Sequence, residues 1–165
     1  MLKEVARKVI VLLIFVALIA FSLIILPFQK TYLQISGDRE SCLIPSPDYF
    51  SVSFIHSVEL SKEIDFYRVC DTSLSLYKTL VKSAGWGLPS TEKNFSIVRY
   101  KGDEWFEYRI ERRLNVLRIA TSPFNRFALE GGSFNISLDK FGGIVEIRVV
   151  KKNPLMTMFH RWCDE

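Results

Sequence analysis

The stretch YFSVSFIHSVELSKEIDFYRV, residues 49–69, holds two runs in which apolar and polar side chains alternate. In the first run Phe50, Val52, Phe54, His56 and Val58 share one face, while Ser51, Ser53, Ile55, Ser57 and Glu59 share the other. Successive side chains of a strand point to opposite sides, so this period of two reads as a half-buried strand. The second run, from Glu63 to Val69, comes after a polar turn at Glu59-Leu-Ser-Lys62 and reads as the returning strand of a hairpin. His56, one of only two histidines in 165 residues, therefore falls on the apolar face.

The same alternation continues in both directions. Candidate strands span 32–36, 41–44, 49–58, 63–69, 73–81, 93–100, 104–111, 114–120, 133–138 and 144–150, bounded by Gly, Pro, Asp and Ser. Ten short strands with turn signals between them predict an all-β antiparallel sandwich or barrel-like domain. Residues 121–132 read as a long loop anchored by Phe124, Phe127 and Leu129. At the C-terminal end Asn153 can cap and Pro154 suits the first helical position. Leu155, Met158, Phe159 and Trp162 then recur at helical spacing. That predicts a short amphipathic helix of about two and a half turns. Closing one open end of the β-structure is favoured for it over docking on a membrane-embedded partner.

The N-terminus sets the compartment. Residues 9–26 carry no charge and one polar side chain, Ser22, a length that spans the hydrocarbon core of a bilayer as one helix. Lys3, Arg7 and Lys8 outweigh Glu4 before it, which keeps that end cytoplasmic and places the rest of the chain outside. Ala20-Phe21-Ser22 resembles a cleavage site, but the apolar run continues past it. An uncleaved signal anchor is therefore favoured over a removed signal peptide. The expected organisation is a cytoplasmic tip and transmembrane anchor over 1–28, an extracytoplasmic β domain over 29–152, and a helical tail over 153–165.

Composition narrows the function classes. The net charge is +4 with both signs mixed along the chain, a solvated surface that gives no sign of a nucleic-acid partner. Cys42, Cys70 and Cys163 all lie on the outer side, where a disulfide persists. Cys42–Cys70 is the favoured pairing because both sit at edges of expected strands, with three separate thiols as the alternative. No pair has metal-ligand spacing, and no cofactor is implied.

The turn after His56 gives it a cross-strand partner. With a two- or four-residue loop Val58 opposes Glu63, His56 opposes Asp65, Phe54 opposes Tyr67 and Val52 opposes Val69. A loop of odd length abolishes that pairing. A carboxylate opposite a half-buried imidazole accepts from its ring nitrogen. The couple then serves as an oriented base, a ligand-binding pair or two metal ligands; a polar pair that merely fixes strand register is the favoured alternative. Ser57 points to the other face and is no nucleophile for its neighbour. Glu59 reads as a rim acceptor or a turn stabiliser. Gly85-Trp86-Gly87-Leu88-Pro89 is a second constellation, whose glycines permit close backbone approach and whose proline locks the exit. It reads as a ligand-gripping loop or as a tight corner with Trp86 over the core, and not as a phosphate loop.

His56-Ser57-Val58-Glu59, then Asp65-Phe66-Tyr67, then Gly85-Trp86-Gly87-Leu88-Pro89 resemble the ordered signature of the domain of unknown function 1850 family. Asp65 stands where that signature usually has Glu, and Trp86 where a small residue is common. The resemblance implies a small extracytoplasmic protein associated with permeases of the tripartite ATP-independent periplasmic (TRAP) type. The expectation is thus a membrane-anchored accessory or binding module of such a transporter, touching the bilayer through residues 9–26. Its candidate functional residues are His56, Glu59, Asp65, Gly85, Trp86, Gly87 and Pro89. The alternatives are an anchored enzyme using His56 and Asp65, and a purely structural envelope protein.

Overall fold

A computed structural model describes residues 2–25, 28–58, 60–82 and 95–163. The chain forms two compact units, Met1–Lys30 with Lys151–Phe159, and Thr31–Val150 with His160–Glu165.

The first unit contains helix α1, Leu2–Ile25. Its stretch Lys3–Ser22 is long and apolar enough to cross a membrane, and none of it is buried within the protein. A helix that is apolar all round and exposed along its length has the composition of a lipid-facing segment. At its charged start Glu4 and Lys8 lie one turn apart, with 3.7 Å between their charged atoms.

The second unit is built from strands in two sheets. β1 (Lys30–Ser36), β2 (Ser41–Pro45), β11 (Ile144–Lys152) and β8 (Leu117–Ala120) form a four-stranded sheet in the order β2-β1-β11-β8. The other sheet has seven strands. They are β3 (Tyr49–Ile55), β4 (Lys62–Cys70), β5 (Ser73–Val81), β6 (Phe95–Tyr100), β7 (Asp103–Leu114), β9 (Ala128–Gly131) and β10 (Phe134–Ser137), in the order β10-β9-β3-β4-β5-β7-β6. The alternation seen in the sequence puts one face of each sheet inward. Leu33, Ile35 and Ile44 of the smaller sheet and Phe50, Val52, Tyr67 and Leu74 of the larger then share one core cluster, together with Phe141 and Val145. This is the sandwich form of the all-β sandwich or barrel-like domain that the periodicity predicts.

The larger sheet also carries a cluster on its other face, Ile64, Leu80 and Trp105, with Phe66, Val98 and Tyr100 packed against it. Four strands separate β6 from β9 in the sheet order. Even so, Lys101, at the β6–β7 turn, reaches Glu130 of β9 at 3.4 Å. The sheet therefore curls strongly. That turn is Lys101-Gly102, with φ of 49° and 89°, the two left-handed residues of a type I′ hairpin.

Three expectations are corrected here. Residues 121–132 are not all loop, because Ala128–Gly131 forms β9 between β3 and β10. A four-residue strand whose last residue opens a Gly-Gly pair is too short to display alternation. The C-terminal helix α2 is a single turn, Pro154–Thr157, although Asn153 caps it as expected by accepting from the Leu155 amide at 2.9 Å. Beyond it the chain runs along β2: the Leu43 amide donates to Arg161 O at 3.0 Å and the Cys163 amide to Leu43 O at 3.1 Å. Trp162 packs edge-on against Tyr32 with centroids 5.8 Å apart. Finally, the disulfide joins Cys42 to Cys163, and Cys70 is a thiol. Cys42 and Cys70 sit in different sheets, on β2 and β4, whereas the returning tail brings Cys163 alongside β2.

Candidate functional site

The β3–β4 hairpin is antiparallel, but its register differs from the one expected. Phe50 opposes Tyr67, Val52 opposes Asp65, Phe54 opposes Glu63 and Ile55 opposes Lys62. Asp65 thus lies four residues along the strand from the position opposite His56. His56 instead starts the connection, its amide donating to Ser61 O at 2.9 Å while its carbonyl accepts from the Leu60 amide at 2.9 Å. Leu60 closes the turn with φ of 49°. The cause is the position of the turn. Pairing ends at Ile55↔Lys62, so the loop over residues 56–61 is centred two residues earlier than the expected turn at Leu60-Ser61. Because the shift is even, every side chain keeps its expected face while its partner changes.

A second loop secures this end of β3. The Ile55 amide donates to Asn125 O at 2.7 Å, and Asn125 Nδ2 donates to Ile55 O at 2.7 Å. Phe127 from the same loop stacks on Phe54, with centroids 4.8 Å apart.

Following the register across the sheet gives three rows on its inward face. The first is Phe54, Glu63, Val81 and Phe106; the second is Val52, Asp65, Thr79 and Tyr108; the third is Phe50, Tyr67, Leu76 and Arg112. Between the second and third rows β5 carries a bulge at Tyr77, since Phe66 pairs with Lys78 but Tyr67 pairs with Leu76. One extra residue in a strand reverses the facing of the residues beyond it. Leu74 and Leu76 face inward before the bulge, and Thr79 and Val81 after it. Without the bulge Lys78 would be the residue aimed at Asp65.

Glu63, Asp65 and Tyr67 are therefore neighbours at every second position of β4, set among apolar rings. Asp65 Oδ1 accepts from Thr79 Oγ1 at 2.5 Å and Oδ2 accepts from the Tyr67 hydroxyl at 3.3 Å. Thr79 and Tyr67 are buried, whereas both carboxylates are half-buried. Burial pushes the Asp65 carboxyl up from its ordinary range, and the hydrogen bonds from Thr79 and Tyr67 pull against that rise. Among the described residues no such bond offsets the burial of Glu63. Its carboxyl is pushed up to about 7, by desolvation first and by the charge of Asp65 second. The Tyr67 hydroxyl is also raised, chiefly by burial and then by Asp65, with Arg112 acting in the opposite direction. The arrangement is a pair of acceptors, one of which changes charge near neutrality. Chemically it suits a hydrogen-bond donor or a cationic group presented at the edge of the inward face.

Of the residues singled out in the sequence, His56 and Asp65 are described, and the hairpin register does not oppose them. Glu59, Gly85, Trp86, Gly87 and Pro89 lie outside the described residues. Sequence reasoning missed Glu63 and Thr79. Glu63 carried a signal, being two positions from Asp65 in an alternating strand. Thr79 carried none, since strict alternation through residues 73–81 sets it on the face opposite Leu74 and Leu76.

These features define a class: a β-sandwich domain, preceded by an apolar helix, with a half-buried acid pair on the inward face of its larger sheet. Residues 50–138, more than half the chain, match the family model described as Domain of unknown function (DUF1850), and the chain belongs to that family. The matched range runs from β3 through β10, so it takes in every strand of the seven-stranded sheet. Neither a curated protein nor a solved structure matches the chain.

Proposed function

We propose that the chain is a membrane-anchored, extracytoplasmic recognition module that works as an accessory of a TRAP-type solute permease. In this reading α1 stays in the bilayer with its basic end in the cytoplasm, and the β domain presents the Glu63–Asp65 pair outside. The observation that carries the recognition role is this acid pair, held half-buried on the inward face and supplied with a hydroxyl by the bulge in β5. Desolvated carboxylates are costly unless paired or hydrogen-bonded; Thr79 and Tyr67 satisfy Asp65 in part, Glu63 is left to a donor from a partner, and a bulge that re-aims a side chain is a recurrent device beside functional sites. The extracytoplasmic setting is supported by the Cys42–Cys163 bond, since disulfides persist in oxidising compartments. The transporter partner is inferred from the family resemblance carried by residues 56–59, 65–67 and 85–89.

The test is crosslinking in native membranes. The full chain should capture the membrane subunit of a TRAP-type permease, and Asp65→Asn should reduce that capture several-fold while leaving the fold intact. No permease subunit in the wild-type crosslinks would overturn the transporter role. Equal capture by Asp65→Asn would remove the acid pair from it.

A further inference from the structure

The unit that contains the anchor helix has a second apolar feature. Within Lys151–Phe159, Leu155 is 51 % exposed, Met156 64 %, Met158 74 % and Phe159 94 %. Isolated exposed apolar side chains are ordinary on a protein surface, but four among five consecutive residues are not. The segment is locally built: Asn153 caps its start, and Thr157, which is buried, donates from Oγ1 to Pro154 O at 2.6 Å. Its large side chains are thus held outward by a defined turn.

We infer that Leu155–Phe159 is an interfacial membrane contact, its side chains entering the boundary between headgroups and acyl chains. The argument for lipid as the occupant is continuity and charge. The same compact unit holds the apolar helix, whose exit is marked by Phe28, 59 % exposed, and then by Lys30. The unit's sequence has a single acidic residue, Glu4 at the far end of α1, whereas Lys30, Lys151 and Lys152 lie next to its apolar stretches. Leucine, methionine and phenylalanine beside lysine suit the headgroup level, where apolar atoms bury and ammonium groups meet phosphate. This inference rests on the anchor reading, and it adds a second point of attachment to the membrane.

Nitroxide labels on the full chain in phospholipid nanodiscs test it, with a fraction of anionic phosphatidylglycerol included. Cys70→Ser provides the background, leaving the Cys42–Cys163 bond intact. Labels are placed singly at Phe159→Cys, at Leu18→Cys within α1, and at Phe124→Cys as a water-exposed reference on the β domain. The label at 159 should collide with oxygen several-fold more often, relative to a water-soluble nickel chelate, than the label at 124. If 159 behaves like 124 while 18 is oxygen-rich and nickel-poor, the inference fails and the anchor stands. If 159 is shielded from both reagents, protein covers it and the inference fails. If 18 is also open to nickel, the anchor reading itself fails and takes the inference with it.

Discussion

Thr79 donates from Oγ1 to Asp65 Oδ1 at 2.5 Å across the β4–β5 pair, and the bulge at Tyr77 is what turns Thr79 inward to do so. The two residues are a unit: a half-buried carboxylate is tolerated there because a buried hydroxyl satisfies it. Thr79→Val keeps the volume and removes the donor, so it should cost about 1–3 kcal/mol of stability. A double-mutant cycle with Asp65→Asn, read by urea unfolding of the full chain in detergent, should show non-additivity of about 1 kcal/mol or more. Additive costs would mean that the contact carries no energy.

Stability should depend on pH through the acid pair. Glu63 ionises in the unfolded chain near its ordinary value of 4.5 but only near 7 in the fold. Between those values the folded state holds a proton that the unfolded state has released, so stability falls as pH rises through that window and levels off above it. After discounting for the partial exposure of Glu63, the loss should be roughly 1–2 kcal/mol. Asp65, also raised, acts in the same direction. Urea midpoints measured from pH 4.5 to 8 check this, and Glu63→Gln should flatten most of the slope.

The returning tail should matter as much as a core element. The Cys42–Cys163 bond closes a span of 121 residues and fastens residues 161–163 to the edge of β2. Reduction, or Cys163→Ser, should cost about 2–5 kcal/mol. Cys70→Ser should leave the reduction-sensitive part unchanged. A midpoint insensitive to dithiothreitol would contradict this pairing.

Asn125 should act as the clasp on the end of β3. Asn125→Ala loses the bond to Ile55 O and should cost about 1 kcal/mol. Its signature is local: faster amide exchange at Ile55 and at His56, whose amide bonds Ser61 O across the loop, with the core strands unaffected.

How far the fold was legible depended on whether its cause was local. Alternation is a local property, and the strand expected at residues 73–81 has the bounds of β5. The sandwich emerged from summing such segments. Registers and crossings depend on distant contacts. The β3–β4 turn is centred two residues earlier than the local sequence suggests, which displaces Asp65 from His56, and the adjoining Ile55 backbone is held by Asn125, seventy residues away in sequence. The bulge at Tyr77 looks like ordinary alternation until its neighbours on β4 and β7 are known. In the tail, the helical spacing of Leu155, Met158 and Phe159 overstated a single turn. The backbone beyond it is committed to β2 by hydrogen bonds and a disulfide. Of the candidate site, Asp65 was legible by residue type and face, Glu63 by its spacing, and Thr79 not at all.

The central claim is that the Glu63–Asp65 pair recognises a partner, and the most direct test is carboxyl-specific crosslinking. A carbodiimide joins a carboxylate to an amine in contact with it, so native membranes carrying the full chain are compared with membranes carrying Glu63→Gln/Asp65→Asn. The wild type should form an adduct with the membrane subunit of a TRAP-type permease, mapped to Glu63 or Asp65. The double variant, shown to be folded by its circular dichroism, should lose it. An adduct of equal yield in the double variant, or none in the wild type, would contradict the claim.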